Sequence, residues 1–331
     1  MVHATMRILS GIQPSGEPHL GNYFGAIEQH LRLQTEGDAL YFIADYHALT
    51  TVHDAKLLRD MTVEVAATYL ALGLDPSKCT FFRQSDVPEV TELTWLLSVV
   101  TGMGLLERAH SYKDKIAHNI TPSVGLFTYP ALMAADILIY KSNLVPVGQD
   151  QVQHIEIAQD MAQSFNAAFK REVFVRPESR LSRTPKVPGT DGAKMSKSYG
   201  NAIPVFARGK RLKKLVGAIA TDSKDFTKEP LDPSTCKVFA LYELFATEAE
   251  KNEMIDRYVN DRGFGYGHAK QALMAKMEER FGAAADRYEA LKANPSEIDD
   301  ILRRGAPRAR ELARATLDEA RVATGLGKML V

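Results

Sequence analysis

The sequence is nearly without cysteine, with only Cys79 and Cys236 among 331 residues. Neither stands at a metal-ligand spacing, which argues against a structural zinc site and against a disulfide framework. There is no surplus of charge of either sign, 41 Lys and Arg standing against 41 Asp and Glu. Bulk charge therefore gives no push towards nucleic acid, and any such binding must come from local patches. No apolar run approaches the length that spans a bilayer, and no long apolar leader opens the chain, so it reads as cytoplasmic, with no membrane partner. The Gly-x-x-x-x-Gly-Lys phosphate loop and the dinucleotide Gly-x-Gly-x-x-Gly turn are both missing, so nucleotide binding, if present, is of another kind. What remains, 45% apolar and 25% charged residues, suits an ordinary globular protein of about two domains.

The most informative stretch is Arg7 to Ile27, RILSGIQPSGEPHLGNYFGAI. A short apolar run with Ile8, Leu9 and Ile12 breaks on Gly11, Pro14, Ser15 and Gly16. After His19-Leu20-Gly21-Asn22, the apolar residues Tyr23, Phe24, Ile27 and Leu31 follow a helical spacing. Strand, glycine-bearing turn and helix N-terminus aim backbone N–H groups at a phosphate. Gly21, without a Cβ, admits a ring or phosphate close to the backbone. An ordinary strand-to-helix turn would read the same way. Far downstream stands Lys194-Met195-Ser196-Lys197-Ser198, two cations and two hydroxyls after Asp191-Gly192. Such a loop suits a polyphosphate, and alone it could equally be a solvated basic loop.

Asp38 to Leu49 is an apolar strand running into Asp45, His47 and Thr50, and Cys79 to Arg83 is a second, after a helical stretch from Asp54 to Leu72. Alternating strands and helices predict parallel βαβ units in a doubly wound sheet, with the ligand at the carboxyl ends of the strands. His47 at such an end could be a site residue or a structural histidine. Gly102 to Lys115 is a charged helix-turn in which Lys115 could reach phosphate or solvent. In Tyr129 to Tyr140, YPALMAADILIY, Pro130 suits a first helical turn, and Tyr129, Met133, Asp136, Ile137 and Tyr140 share one face. A carboxylate amid that apolar stripe needs a hydrogen-bond donor, either an indole or phenol of a ligand or a neighbouring turn. In Val145 to Gln153, VPVGQDQVQ, Asp150 and Gln151 open the next helix, His154 to Phe169, as caps. There Asp150 suits ribose hydroxyls and Gln151 the polar end of an amino acid.

Taken together, GIQPSG-x-x-HLGNY-x-GAI, YPALMAADIL, PVGQDQVQHIE and DG-x-KMSKS-x-GN resemble the bacterial tryptophanyl-tRNA synthetase family over nearly the whole chain. His19 to Asn22 and Lys194 to Ser198 are similar to the two signatures of class I aminoacyl-tRNA synthetases. The resemblance implies that Gln13, Pro14, Ser15, His19, Gly21 and Asn22 line an ATP site, with Gly148, Gln149 and Asp150 at the ribose. It places Val187 beside adenine and Lys194, Met195, Ser196, Lys197 and Ser198 on the triphosphate. The catalytic set it implies is Lys194, Lys197, Lys115, His19 and Gln13. Asp136 would accept an indole N–H, with Met133, Tyr129, Gln151 and His47 around the tryptophan. It implies no dedicated metal site, Mg2+ arriving with ATP. Departures from the pattern are Gln149 where Glu is common, Gln159 for Arg and Ala109 for Met; Asn22 in place of a second signature histidine is usual in this branch.

Beyond Ser198 the chain becomes a succession of helical patterns, at Val238 to Ala246, Glu248 to Val259, Ala269 to Phe281, Ala283 to Leu291 and Ser296 to Ala323. Ala207 to Lys214 holds five basic residues and no acidic one, and Ile301 to Val331 seven against three. The expectation is an α/β, doubly wound parallel-sheet (Rossmann-like) nucleotide-binding domain over 1–190, with a smaller all-helical domain over 191–296. The resemblance implies that this second domain reads the tRNA anticodon, that the helix of about 297–331 returns to the first, and that the protein is a homodimer. The expected reaction is ATP-dependent activation of L-tryptophan and its transfer to tRNA(Trp). The rival expectations are a tyrosyl-tRNA synthetase and a non-catalytic nucleotide or tryptophan sensor on the same scaffold.

Overall fold

The computed structural model describes residues 6–109, 123–148, 151–181, 187–222 and 231–327. Five strands form one parallel sheet: β1 (Arg7–Ile12), β2 (Asp38–Ile43), β3 (Thr80–Arg83), β4 (Leu144–Val147) and β5 (Glu178–Leu181), in the order β3-β2-β1-β4-β5. Arg7 to Ile12 lie opposite Asp38 to Ile43, and Leu40 to Ile43 opposite Thr80 to Arg83. In β2 every residue from Ala39 to Ile43 is buried, the unbroken apolar run of a parallel strand covered on both faces. Edge strand β5, Glu-Ser-Arg-Leu, is largely exposed instead. β2 is shorter than its apolar sequence predicts. Asp45 ends it by accepting the Tyr46 N–H at 3.1 Å and the Ser85 N–H at 3.0 Å, which starts a helical turn at Asp45–Ala48.

Strand order reverses at β1, from which the chain steps to β2 and β3 on one side and to β4 and β5 on the other. The crevice at such a reversal, beyond the carboxyl ends of the strands, is where open α/β sheets take ligands. Gln13 follows β1 there, and Gly148 follows β4. Gly11 lets β1 and β2 close up, because a Cβ on it would stand 2.5 Å from the Phe42 ring of β2.

The longer helices are α1 (Ala55–Ala71), α2 (Glu89–Ser98), α3 (Val124–Ile139), α4 (Val152–Ala168), α5 (Gly209–Gly217), α6 (Lys237–Tyr242), α7 (Glu248–Asn260), α8 (Tyr266–Ala293) and α9 (Pro295–Thr324). Asp54 caps α1 by accepting from the N–H groups of Lys56 and Leu57 at 2.8 and 2.9 Å, an interaction worth about 1 kcal/mol. Two sequence expectations are corrected. α3 starts at Val124 behind a Ser123 cap, so Pro130 lies inside the helix and not in its first turn. The two patterns flanking Gly282 form the single helix α8. Its buried stripe of Ala269, Leu273, Met277, Phe281, Ala285 and Tyr288 runs through that glycine unbroken, which outweighs the roughly 1 kcal/mol cost of glycine in a helix.

The chain divides into two compact units. The first comprises Met1–Gly16, Gln29–Ser182 and Leu291–Val331, and the second Glu17–Glu28 and Arg183–Ala290. In the first, the sheet and helices enclose a core that includes Phe42, Phe82, Leu97, Ile139, Phe165 and Leu317. α9 lies against β3 so closely that a Cβ on Gly305 would stand 2.0 Å from the Phe81 carbonyl oxygen. Its cations are mostly paired: Arg310 and Arg314 both at 2.8 Å from Glu89, Arg303 with Asp299, and Arg321 with Glu92. In the second unit, Tyr23, Phe24, Phe245 and Phe281 form a chain of edge-on aromatic contacts.

Candidate active site

Two groups of the expected site residues assemble, one within each unit. In the second unit the chain around His19 pairs with the segment that follows Lys194 to Ser198. The Leu20 N–H donates to Ile203 O, and the Val205 N–H to Pro18 O, both at 3.0 Å. An antiparallel bridge thus joins His19 to Pro204, and two motifs far apart in sequence meet. Gly21 makes the approach possible, because a Cβ there would be 2.9 Å from the His19 ring and 3.5 Å from the Met195 side chain. Asn22 accepts the His19 N–H through Oδ1 at 3.0 Å, closing the helix start. His19 is buried, and that burial, with the nearby Lys197 ammonium, lowers its imidazole to about 4. At neutral pH it is therefore an uncharged hydrogen-bonding group.

Val187, Lys194, Met195, Ser196, Lys197 and Ser198 form one compact loop in this unit. Lys194 pairs with Pro188, and the Met195 N–H donates to Val187 O at 3.0 Å. Met195 is buried, whereas Lys194, Lys197 and Ser198 are exposed. The hydroxyls of Ser196 and Ser198 meet at 2.8 Å. Two exposed cations on a loop with a buried methionine anchor suit an anionic ligand.

In the first unit Asp136 lies on the buried face of α3, 2% exposed. Its carboxylate is already held by protein donors. His47 Nε2 is 2.9 Å from Oδ2, and Gln84 Nε2 donates to both oxygens at 2.8 Å. Burial pushes this carboxyl above the usual range, against the pull of the His47 and Gln84 hydrogen bonds. Gln84 has no freedom to turn, because its Oε1 accepts the Tyr46 N–H at 3.1 Å. With three hydrogen bonds made, Oδ1 keeps a lone pair for one further donor. The Tyr129 ring meets the edge of His47 at a centroid distance of 6.2 Å, and its hydroxyl bonds His154 Nε2. Met133 is half-buried beside the core on the same helix.

Gln13, Pro14 and Ser15 follow β1, and Gly148 follows β4, at the strand ends that flank the reversal. The Gly148 carbonyl accepts the Gln151 N–H at 3.0 Å, setting Gln151 before α4. Lys115, Gln149 and Asp150 lie outside the described residues. Of the departures, Gln159 bridges Pro177 O at 2.7 Å and the Arg176 guanidinium at 2.6 Å. Ala109 is wholly buried in the first unit's core. Sequence reasoning did not single out Gln84 and His154. Gln84 could have been found as the polar residue just after β3, the strand end at which ligand groups gather.

The family described as tRNA synthetases class I (W and Y) matches residues 1–282. The tryptophan–tRNA ligase of Rhodopirellula baltica is 53% identical over 322 residues, 97% of this chain and all of that one. The Fusobacterium nucleatum ligase of the same name is 50% identical over 97% of this chain and 98% of its own. The crystal structure of the Campylobacter jejuni tryptophanyl-tRNA synthetase complexed with ADP and tryptophan superposes with a TM-score of 0.91. It is 46% identical, over 97% of this chain and all of that one. A tyrosyl-tRNA synthetase from Archaeoglobus fulgidus, with a TM-score of 0.64 at 19% identity over 86% of this chain and 90% of its own, shares the fold. With both signatures assembled in one unit and the match running through them, the chain belongs to the class I tRNA synthetases of the tryptophan and tyrosine family.

Proposed function

We propose that this chain is a tryptophan–tRNA ligase, which activates L-tryptophan with ATP and transfers it to tRNA(Trp). The carrying observation is the full-length similarity to tryptophan–tRNA ligases, 53% over 97% of the chain, with both class signatures present. In the first step a tryptophan carboxylate oxygen attacks the ATP α-phosphorus. The bond to the bridging oxygen breaks, and pyrophosphate leaves. In the second, a ribose hydroxyl at the tRNA 3′ end attacks the adenylate carbonyl, and AMP leaves. A carboxylate needs no general base, so the work is positioning and charge neutralisation.

Asp136 Oδ1 is the acceptor for the indole N–H, its position held by Gln84 and His47. Tyr129 and Met133 wall the ring, and Gln151 serves the amino-acid end. Gln13, Pro14, Ser15, Gly148, Gln149 and Asp150 are assigned to the nucleotide, as are Gly21, Asn22 and Val187. Lys194 and Lys197, with Lys115, neutralise the leaving pyrophosphate, and neutral His19 supplies a hydrogen bond rather than a charge. Among the described residues no three or more His, Cys, Asp or Glu side chains gather as a metal cage. Mg2+ is assigned to the ATP complex, where it would offset phosphate charge. Within 191–296, the helices beyond the Lys194–Ser198 loop are assigned to the tRNA anticodon, with exposed lysines of α5 on its phosphates.

The protein is proposed to act in the cytoplasm as a homodimer. Among the described residues no helix is long and apolar enough to cross a membrane. The first unit leaves Trp95 69% and Val124 79% exposed, with Val99 and Met103 also bare, and large exposed apolar groups of this kind favour an interface. The test is pyrophosphate–ATP exchange with tryptophan, tyrosine or phenylalanine. Tryptophan alone should support rapid exchange, and a preference for tyrosine or no exchange at all would refute the assignment.

A further inference from the structure

The loop Lys194 to Ser198 is exposed apart from Met195 and, in part, Ser196, so something must keep its cations in place. One side is tied by the Lys194–Pro188 bridge and the Met195 N–H bond to Val187 O. The other side converges on a single side chain, Asn201, which is 2% exposed. Its Oδ1 accepts the Ser196 N–H at 2.8 Å. Its Nδ2 donates to Asp191 Oδ1 at 2.8 Å and to the Lys194 carbonyl at 3.2 Å. Its own backbone carbonyl accepts the Thr190 N–H at 3.0 Å.

The residues around it are shaped to this carboxamide. A Cβ on Gly189 would stand 2.3 Å from Nδ2, so only glycine admits Asn201 there. The same Asp191 oxygen accepts the Ala193 N–H at 2.9 Å, and the Asp191 carbonyl accepts from Lys237 Nζ at 2.8 Å. Gly192, at φ +88°, lies under the Lys237 stem, 2.5 Å from where its Cβ would be. Asparagine alone offers one acceptor and two donors at this reach. An aspartate of the same size would turn an oxygen on the Asp191 carboxylate and the Lys194 carbonyl. A glutamine carries one more methylene into a space with no room at Gly189.

We propose that Asn201 is the positioning residue of this loop, its carboxamide setting where the Lys194 and Lys197 ammonium groups stand. The inference rests on the proposed activation reaction, in which those cations meet charge that develops only as pyrophosphate leaves. An interaction realised in the transition state shows in kcat and little in substrate affinity. Asn201 touches no substrate in this role.

The test measures pyrophosphate exchange, tryptophan affinity and thermal unfolding for wild type, Asn201→Asp, Asn201→Ala, and the pair Asn201→Asp with Asp191→Asn. Asn201→Asp should lower kcat at least about 10-fold and leave the KM for tryptophan within about twofold. The paired change exchanges donor and acceptor across the same 2.8 Å contact, leaving an oxygen on the Lys194 carbonyl and an amide on the Ala193 N–H, and should recover part of the lost kcat. A residue that only supports the fold would lower the unfolding temperature and tryptophan affinity together, with no recovery in the pair; that result overturns the inference. So does an Asn201→Asp enzyme with wild-type kcat. Should Asn201→Ala fail to fold, the isosteric aspartate and its paired partner still decide. A wild-type chain without tryptophan-dependent exchange would sink the functional reading itself, whereas active wild type with an indifferent Asn201→Asp sinks only the positioning role.

Discussion

Replacing Asp136 with asparagine separates a ligand acceptor from a structural carboxylate, and the hydrogen-bond geometry sets the size of the effect. Gln84 Nε2 reaches both carboxylate oxygens and His47 Nε2 reaches Oδ2. Gln84 cannot reverse its amide without turning its NH2 onto the Tyr46 N–H. The best asparagine orientation therefore keeps its oxygen at the Oδ2 position, where His47 and Gln84 still donate. Its NH2 then takes the Oδ1 position, facing the Gln84 NH2 and any indole N–H. A buried donor left without an acceptor costs about 1–3 kcal/mol, which corresponds to roughly 5- to 150-fold in kcat/KM for tryptophan. The donor-to-donor contact with Gln84 should also lower the unfolding free energy by about 1 kcal/mol. Pyrophosphate exchange gives the first quantity and urea unfolding the second. The control is the benzothiophene analogue of tryptophan, which lacks the N–H. Wild type should discriminate against it, and Asp136→Asn should discriminate much less. Equal discrimination by both proteins would refute the reasoning and leave Asp136 as a structural partner of His47 and Gln84.

Gly305→Ala should destabilise the first unit by about 2 kcal/mol in urea unfolding, since its Cβ would press on the Phe81 carbonyl and overpacking costs about that much. Unchanged stability would mean α9 can lift from β3 at little cost. His30 is fully buried against Tyr69, 3.0 Å from its hydroxyl, and burial lowers its imidazole to about 4 from an ordinary 6.5. As pH falls the unfolded chain takes up that proton first, so stability intact above 6.5 is lost between 6.5 and 4, by up to roughly 3 kcal/mol. His30→Gln should flatten this part of a pH–unfolding curve. On α5, Lys210, Lys213 and Lys214 make no ion pair among the described residues, whereas Arg310, Arg314 and Arg321 of α9 are bound to Glu89 and Glu92. Changing the three lysines to alanine should weaken tRNA binding and reduce its salt slope by up to about 3. Arg310→Ala should lower thermal stability and leave that slope unchanged.

Much of the protein was legible from residue order alone, for reasons that are local. Continuous apolar runs separated by helical spacing announce a parallel sheet, because buried strands need no alternation. The Asp54 and Thr247 caps mark helix starts by chemistry acting within three residues. A carboxylate in the apolar face of YPALMAADILIY demands a donor wherever it folds. Pairwise contacts between distant segments were decided only in three dimensions. Gln84 is an ordinary glutamine until strand β3 sets it against Asp136 and the turn after β2 locks its amide. The end of β2 at Ile43 depends on Asp45 finding Ser85, forty residues away. The positive charge of the last thirty residues reads as a nucleic-acid surface, yet Glu89 and Glu92 on α2 occupy much of it. His19 and the Lys194–Ser198 loop carry their character in sequence, but the bridge to Pro204 brings them together, and burial beside Lys197 leaves the histidine neutral.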